Sequence, residues 1–344
     1  MSESNRRIFV RNAAFVAGGV VSGSARTTFA KKEDGRRRSM TDLRQALHGI
    51  HLFLTTPFGA NYELDSAGLR NNVAYHTRRQ TENMTIVVGG GMGEVFSLDV
   101  HEHKEMVRAA VDGAQGRMPV VAGVTGGYGP ALRAAQNAEQ AGADAILLLT
   151  APYWRGNVER TFQYFRDVAN SVRIGVLVSV VHGYQEPVHE EAYWPEVLRR
   201  LAEVPNVIGF EDSSGGVDVG KALGEVIPDD FLWIARGDGH AVHALPAGAR
   251  AYTAAVGTFV PSACREFWQL GVTGDTDRMQ EILKMRIEPM ARVRGLNPGY
   301  GVGGVKEALD ALGRVGGRVR PPGVEVLAVD RPKIAQIARE YAET

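Results

Sequence analysis

The sequence predicts an α/β protein, a (β/α)8 barrel of the TIM-barrel class with a C-terminal helical extension. Three observations predict it. Eight short apolar runs recur between residues 50 and 255, helix-sized stretches separate them, and 344 residues, 44% of them hydrophobic, suffice for one large core. The runs at 50–56, 85–88, 119–124, 145–150, 174–181, 207–210, 232–235 and 251–255 are near-continuous in apolar residues. Parallel strands covered on both faces read this way, whereas half-exposed strands alternate. The stretches at 66–79, 101–114, 130–141, 158–169, 192–202 and 219–226 carry apolar residues at helical spacing, several ending near Gly or Pro. An open doubly wound sheet would also alternate strand and helix, but eight units of similar length favour closure. Helices predicted over 263–270, 276–293 and 302–312 exceed what an eighth helix needs, and read as a packing or assembly surface. The chain thus divides into a leader at 1–40, a barrel at 48–260 and C-terminal helices at 261–344.

The leader has two readings. Paired Arg6 and Arg7 precede a glycine-rich, weakly apolar run and small residues, the order of a twin-arginine export signal. Alternatively translation starts near Met40, after the flexible basic tract Arg36-Arg37-Arg38, and the protein is cytoplasmic. Neither reading makes the leader part of the fold. The 39 basic and 39 acidic residues cancel, so no net field draws the chain to nucleic acid or an anionic membrane. One cysteine, Cys264, excludes an internal disulfide and a multi-cysteine zinc site. After residue 50 no run approaches the roughly 18 apolar residues of a membrane span. The expected partner is a small-molecule substrate.

In such barrels chemistry sits where the strands end, at the carboxyl rim. The rim segments are 55–58, 89–94, 125–127, 152–154, 179–182, 211–213, 236–240 and 256–257. Thr55, Thr56, Gly90, Gly91, Met92, Tyr153 and Asp238 fall there as candidate substrate-binding residues, and Ser179, His182, Glu211 and Arg236 as candidate catalytic ones. Several other features have plain explanations. His51 in strand one reads as a satisfied core histidine, and His101-Glu102-His103 as the exposed first turn of a helix capped by Asp99. Gly126-Gly127-Tyr128-Gly129 could cradle a phosphate at a helix start, but also simply turns the chain.

Six segments in order resemble one family. They are Thr56-Pro57-Phe58, Gly90-Gly91-Met92-Gly93-Glu94, the Arg117-Met118-Pro119 stretch, Ala141-Gly142-Ala143-Asp144 leading to Pro152-Tyr153, Pro298-Gly299-Tyr300 with Lys306-Glu307-Ala308-Leu309, and Arg320-Pro321-Pro322. They are similar to the dihydrodipicolinate synthase/N-acetylneuraminate lyase family, and within it to the 5-dehydro-4-deoxyglucarate dehydratases. The resemblance implies a homo-oligomer, tetramer or dimer, and dehydration and decarboxylation of an acidic sugar derivative. It also implies a strand-six lysine that forms a Schiff base with a 2-oxo acid, a strand-five tyrosine that relays protons, and hydroxyls after strand two that hold the substrate carboxylate. Here those positions are Glu211, Ser179 and the pair Gly91 and Met92.

A carboxylate cannot form an imine, and the iminium is the electron sink of that chemistry. A substrate carboxylate about 4 Å from an ionised Glu211 would also feel repulsion of about 4 kcal/mol at an effective dielectric of about 20. Two expectations follow. In the first, Glu211 is a general base and His182 an acid, with the enolate stabilised by Arg236, Arg155 or a divalent metal. No cofactor is otherwise expected; Glu211, Asp238 and His240, with His243 nearby, offer ligand types but no recognisable metal spacing. In the second, the barrel is a catalytically inactive binding or assembly protein, and Glu211 forms an ion pair with Arg236 that fills the old lysine site.

Overall fold

The computed structural model describes residues 38–79, 82–149, 156–180, 193–213 and 217–343. Eight parallel strands close into a barrel in sequence order. They are β1 (Gly49–Phe53), β2 (Met84–Val88), β3 (Val120–Val124), β4 (Ala145–Leu148), β5 (Gly175–Val180), β6 (Val207–Asp212), β7 (Leu232–Arg236) and β8 (Ala251–Ala254). Seven helices follow the first seven strands: α2 (Ser66–Thr77), α3 (Val100–Ala114), α4 (Tyr128–Ala141), α5 (Val158–Asn170), α6 (Tyr193–Leu201), α7 (Val217–Gly224) and α8 (Gly237–Ala244). Every predicted strand is present, with ends shifted by a few residues at most. β6 and β7 run on through Glu211-Asp212 and Arg236, so these polar residues belong to strands rather than to loops after them.

Alternation along the strands sorts side chains into two cores. Ile86 and Val88 face the outer helices, as do Val176 and Val178, while Val87 and Leu177 point into the barrel. The lumen is packed by Val87, Val121, Leu147, Leu177, Leu232 and Ile234, and its floor is sealed by α1 (Met40–Ala46), which contributes Met40, Leu43 and the following Leu47. That helix lay hidden at the leader boundary. Ser39 caps it by accepting the Asp42 amide, and Arg38 pairs with Asp144 at 3.2 Å. Arg38, Ser39 and Met40 therefore join the fold, against the expectation that the leader and its basic tract stand apart from it. The physical reason is that Leu43 and Leu47 fill the open end of the barrel, and the cap and ion pair hold the chain that carries them.

β6 contains one extra residue. Val176 of β5 aligns with Val207, but Leu177 aligns with Gly209, so Ile208 is a bulge. It reverses the phase of everything beyond it. Val207 and Phe210 face the helices, Ile208 faces the lumen, and Glu211 therefore turns inward and Asp212 outward.

After β8 come α9 (Pro261–Thr273), α10 (Thr276–Ile282), a π-helical turn (Leu283–Ile287), α11 (Glu288–Gly295), α12 (Tyr300–Ala311) and α13 (Arg331–Tyr341). The predicted helix over 276–293 is thus interrupted by the π turn, and α13 was not foreseen. No helix among the described residues is long and apolar enough to cross a membrane.

Three buried histidines give the fold an expected pH dependence. His51, buried in the lumen floor with Nε2 hydrogen-bonded to the Leu47 carbonyl at 2.8 Å, is the satisfied core histidine the sequence suggested. Burial pushes its pKa down to about 4, and burial also lowers those of His76 and His103. A folded pKa below the unfolded value near 6.5 gives stability that is complete above pH 6.5 and is lost as the pH falls through about 4. Asp238 works in the opposite sense, since burial raises its pKa to about 6 and its contribution is lost as pH rises through that value. Urea unfolding of the wild type is expected to show falling stability from pH 6.5 to 4. In His51→Gln that fall should be shallower by roughly 3 kcal/mol. Equal slopes for the two proteins would remove His51 as a cause.

Candidate active site at the carboxyl end of the barrel

Glu211 is the centre of the site. It is 6% exposed and lines a small lumen cavity with His51, Phe53, Leu177, Ile234 and Thr253. Its Oε2 accepts hydrogen bonds from Ser179 Oγ at 2.9 Å and from Ser213 Oγ at 3.4 Å. Ser179 and Glu211 are register partners on β5 and β6, so the sheet itself presents the hydroxyl to the carboxylate. Burial raises the Glu211 pKa, while the hydroxyls of Ser179 and Ser213 and the charge of Arg236 work against that shift.

The ion pair expected between Glu211 and Arg236 does not form. Arg236 ends β7 with an exposed side chain, and among the described residues no ion pair joins it to Glu211. Its charge reaches the carboxylate only through space. Glu211 is next to Ile234, not Arg236, across the β6–β7 ladder, which explains the separation.

The other acid/base candidates separate as well. Asp212, fully buried, points outward past α7 to α8, where its Oδ2 meets His240 Nε2 at 3.3 Å. Asp238 lies in the first turn of α8, its charge felt by Arg294, Tyr252 and Cys264, and its Oδ1 is buried without a hydrogen-bonding partner. Glu211, Asp238 and His240 therefore face different ways, and among the described residues no three His, Cys, Asp or Glu side chains are grouped to hold a metal ion. The bulge in β6 and the helical start after β7 account for this dispersal, and neither is legible from ligand spacing. His182, Tyr153 and Arg155 lie outside the described residues.

The rim of strands one and two is built as a support. Thr56 Oγ1 donates to the Gly93 carbonyl at 2.7 Å, locking the loop after β2. Thr55 Oγ1 is buried without a partner, and Thr55 lines a separate small cavity with Asn72, Thr258 and Arg314. Gly90 packs under Phe53, where a Cβ would come within 2.7 Å of the ring. Gly123 on β3 has no room for a side chain either, because a Cβ would lie 1.8 Å from the Gly89 carbonyl. Gly91 is exposed, and Met92 is partly buried.

Sequence reasoning missed two features. One is Arg294, whose Nη2 lies 3.7 Å from Met92 Sδ although 202 residues separate them. The other is a buried cluster that joins the segments of the family resemblance. Lys306 Nζ meets Glu94 Oε1 at 2.5 Å, donates to the Arg318 carbonyl at 2.5 Å, and stands 4.6 Å from the Phe58 ring centre. Arg320 covers the same ring at 4.0 Å, and its amide donates to Glu94 at 3.0 Å. Lys306 is buried, but it faces a cleft lined by Asp65, Glu307 and Asp310, not the lumen cavity of Glu211. None of the eight strands contains a lysine.

One smaller expectation changed, and one plain reading held. Asp99 does cap α3, with Glu102 completing a capping box, but His103 is buried rather than exposed and contacts the Gly123 carbonyl at 2.8 Å. One turn into the helix, its position has already rotated toward β3. At residues 126–129, Gly126 takes a left-handed φ of 115° and Gly127 is the N-cap of α4, so these glycines turn the chain into a helix.

Comparison with known proteins agrees with this architecture. A protein named "Probable 5-dehydro-4-deoxyglucarate dehydratase" from Rhizobium rhizogenes is 31% identical over 300 residues, covering 86% of this chain and 96% of that protein. One of the same name from Bradyrhizobium diazoefficiens is 32% identical over 280 residues, covering 80% and 86%. The crystal structure of dihydrodipicolinate synthase from Bacillus clausii superposes with a TM-score of 0.75 at 25% identity, over 87% of this chain and 99% of that one. The model of the dihydrodipicolinate synthetase family matches residues 46–341. With its closed parallel barrel and helical extension, this chain belongs to the dihydrodipicolinate synthetase family.

Proposed function

We propose that this protein is a lyase of the dehydratase or aldolase type that acts on a small oxo or hydroxy acid of the sugar-acid class without forming an imine. The class follows the names of the relatives. The mechanism rests on one observation: a buried, inward-facing Glu211, hydrogen-bonded by Ser179, in a barrel whose strands carry no lysine. In this reading Glu211 occupies the family's lysine position and Ser179 the tyrosine position. A carboxyl group with a raised pKa is suited to taking and returning a proton near neutral pH.

For a dehydration, ionised Glu211 takes the proton from the carbon next to the substrate carbonyl. The electron pair moves onto the carbonyl oxygen, where hydrogen bonds and the charge of Arg236 stabilise it. The pair then returns to form the carbon–carbon double bond as the neighbouring hydroxyl leaves, protonated to water by His182. Ser179 holds Glu211 in line.

The test is incubation in deuterium oxide with a panel of sugar acids, with and without added magnesium or a chelator, followed by NMR. The expected result is solvent deuterium at the carbon beside the carbonyl together with loss of water, while pyruvate plus borohydride leaves the protein mass unchanged. A borohydride-fixed adduct on any lysine would overturn the mechanism. Binding of an acid without exchange would favour an inactive, ligand-binding barrel.

A further inference from the structure

We infer that a single monatomic anion of the chloride class is held between Thr55, just beyond β1, and Arg314, just beyond α12, as an internal counter-ion outside the active site. The place is a cavity of about 10 Å³ lined by Leu54, Thr55, Asn72, Thr258, Leu309 and Arg314. It shares no lining residue with the lumen cavity of Glu211, so the inference does not depend on the reaction.

Three observations carry it. First, two donors that line this cavity are unused. Thr55 is only 3% exposed, and its Oγ1 has no hydrogen-bonding partner; the Nε of Arg314 is buried and has none either. Second, the Arg314 guanidinium meets only neutral acceptors. Its Nη1 donates to the Thr258 carbonyl at 2.6 Å, and its Nη2 to Thr258 Oγ1 at 2.6 Å and to His76 Nε2 at 3.1 Å. Among the described residues no carboxylate pairs with it, and no acidic side chain lines the cavity. Its other neighbour is a second cation: Arg314 and Arg79 both stack on the Tyr75 ring, at 4.3 and 3.6 Å from its centre. Burial accordingly pulls the Arg314 pKa down to about 10, and burial and the Arg314 charge hold His76 neutral. Third, the chain around Arg314 is fixed. Its amide donates to the Leu309 carbonyl at 2.9 Å, and Asn72 on α2 brackets the next residue, Val315, with hydrogen bonds of 2.6 and 3.1 Å.

Size and charge select the occupant. The cavity holds about one water-sized sphere, which excludes a carboxylate, sulfate or phosphate. A water would satisfy the two donors but leave the buried positive charge uncancelled. A halide ion is acceptor-only, so it takes the Thr55 hydroxyl and the Arg314 Nε–H together, and it supplies the missing negative charge where low polarity makes that charge count most. The ion would tie the turn after α12 to the rim of the barrel, because the next residue, Thr56, donates to the Gly93 carbonyl.

Crystals of the full chain soaked in sodium bromide, with diffraction recorded at the bromine absorption edge, test the site directly. The expected result is an anomalous peak between Thr55 Oγ1 and Arg314 Nε. In solution, urea unfolding at constant ionic strength, with chloride replacing methanesulfonate, should show a midpoint that rises with chloride and saturates. Thr55→Val keeps the shape but removes the hydroxyl, and should raise the half-saturating chloride concentration by about 10-fold, while Thr55→Ser keeps the response. Should Thr55→Val fail to fold, the bromide experiment on the wild type decides alone. Density for a water with no bromide peak, equal midpoints in chloride and methanesulfonate, or an unchanged chloride response in Thr55→Val would overturn the inference.

Discussion

Glu211→Gln is expected to lower turnover by about 100- to 10,000-fold while leaving the folded state as stable as wild type. The amide has the shape of the acid and can still accept from Ser179 through its oxygen, so the 2.9 Å contact on the β5–β6 ladder has a replacement. What is lost is the ability to carry a proton. The stability half of the prediction follows from the absence of an ion pair with Arg236. Breaking a buried pair would cost about 3–5 kcal/mol, because it strands a charge. Glu211, by contrast, is disfavoured as an anion by its own burial, and a neutral isostere relieves that cost. Steady-state kinetics and urea unfolding on the same preparation decide it. A variant that still turns over but melts much earlier would make Glu211 a structural residue.

Lys306→Met is expected to cost about 3–5 kcal/mol of folding stability. The substitution leaves Glu94 buried, 8% exposed at its side chain, with its ammonium partner gone and the Arg318 carbonyl without its donor. Methionine would restore contact with the Phe58 ring but neither hydrogen bond. Lys306→Met combined with Glu94→Gln should recover part of the loss, since the stranded charge is removed with its partner. Chemical denaturation of the single and double variants measures this. A loss below about 1 kcal/mol for the single variant would mean that the cluster does not hold the rim. Because Thr56 and Gly93 belong to the same loops, the single variant should also loosen the mouth.

The strands were legible because a covered parallel sheet demands unbroken apolar runs, and such runs survive any arrangement of helices around them. Their polar ends were not. Glu211, Asp212 and Arg236 look like loop residues in a linear reading, yet the ladder continues through them. The direction of each side chain was beyond sequence altogether, since the bulge at Ile208 depends on pairing with β5. This is why Glu211, Asp238 and His240 looked like one cluster and are three separate environments. Residues 236–240 read as a rim segment, whereas Gly237–Ala244 form a helix, and α1 is too short to announce itself at the edge of the leader. Arg294 and Lys306 illustrate the opposite limit. Both act through partners some 200 residues away in sequence, at separations of 202 from Met92 and 212 from Glu94, so neither contact leaves a local pattern.

The plug formed by Leu43 and Leu47 has a consequence for traffic through the molecule. With the far end stoppered, whatever enters the cup must leave by the route it came in. Product and incoming substrate then compete for one doorway, and release can govern the pace of the cycle as readily as bond breaking does.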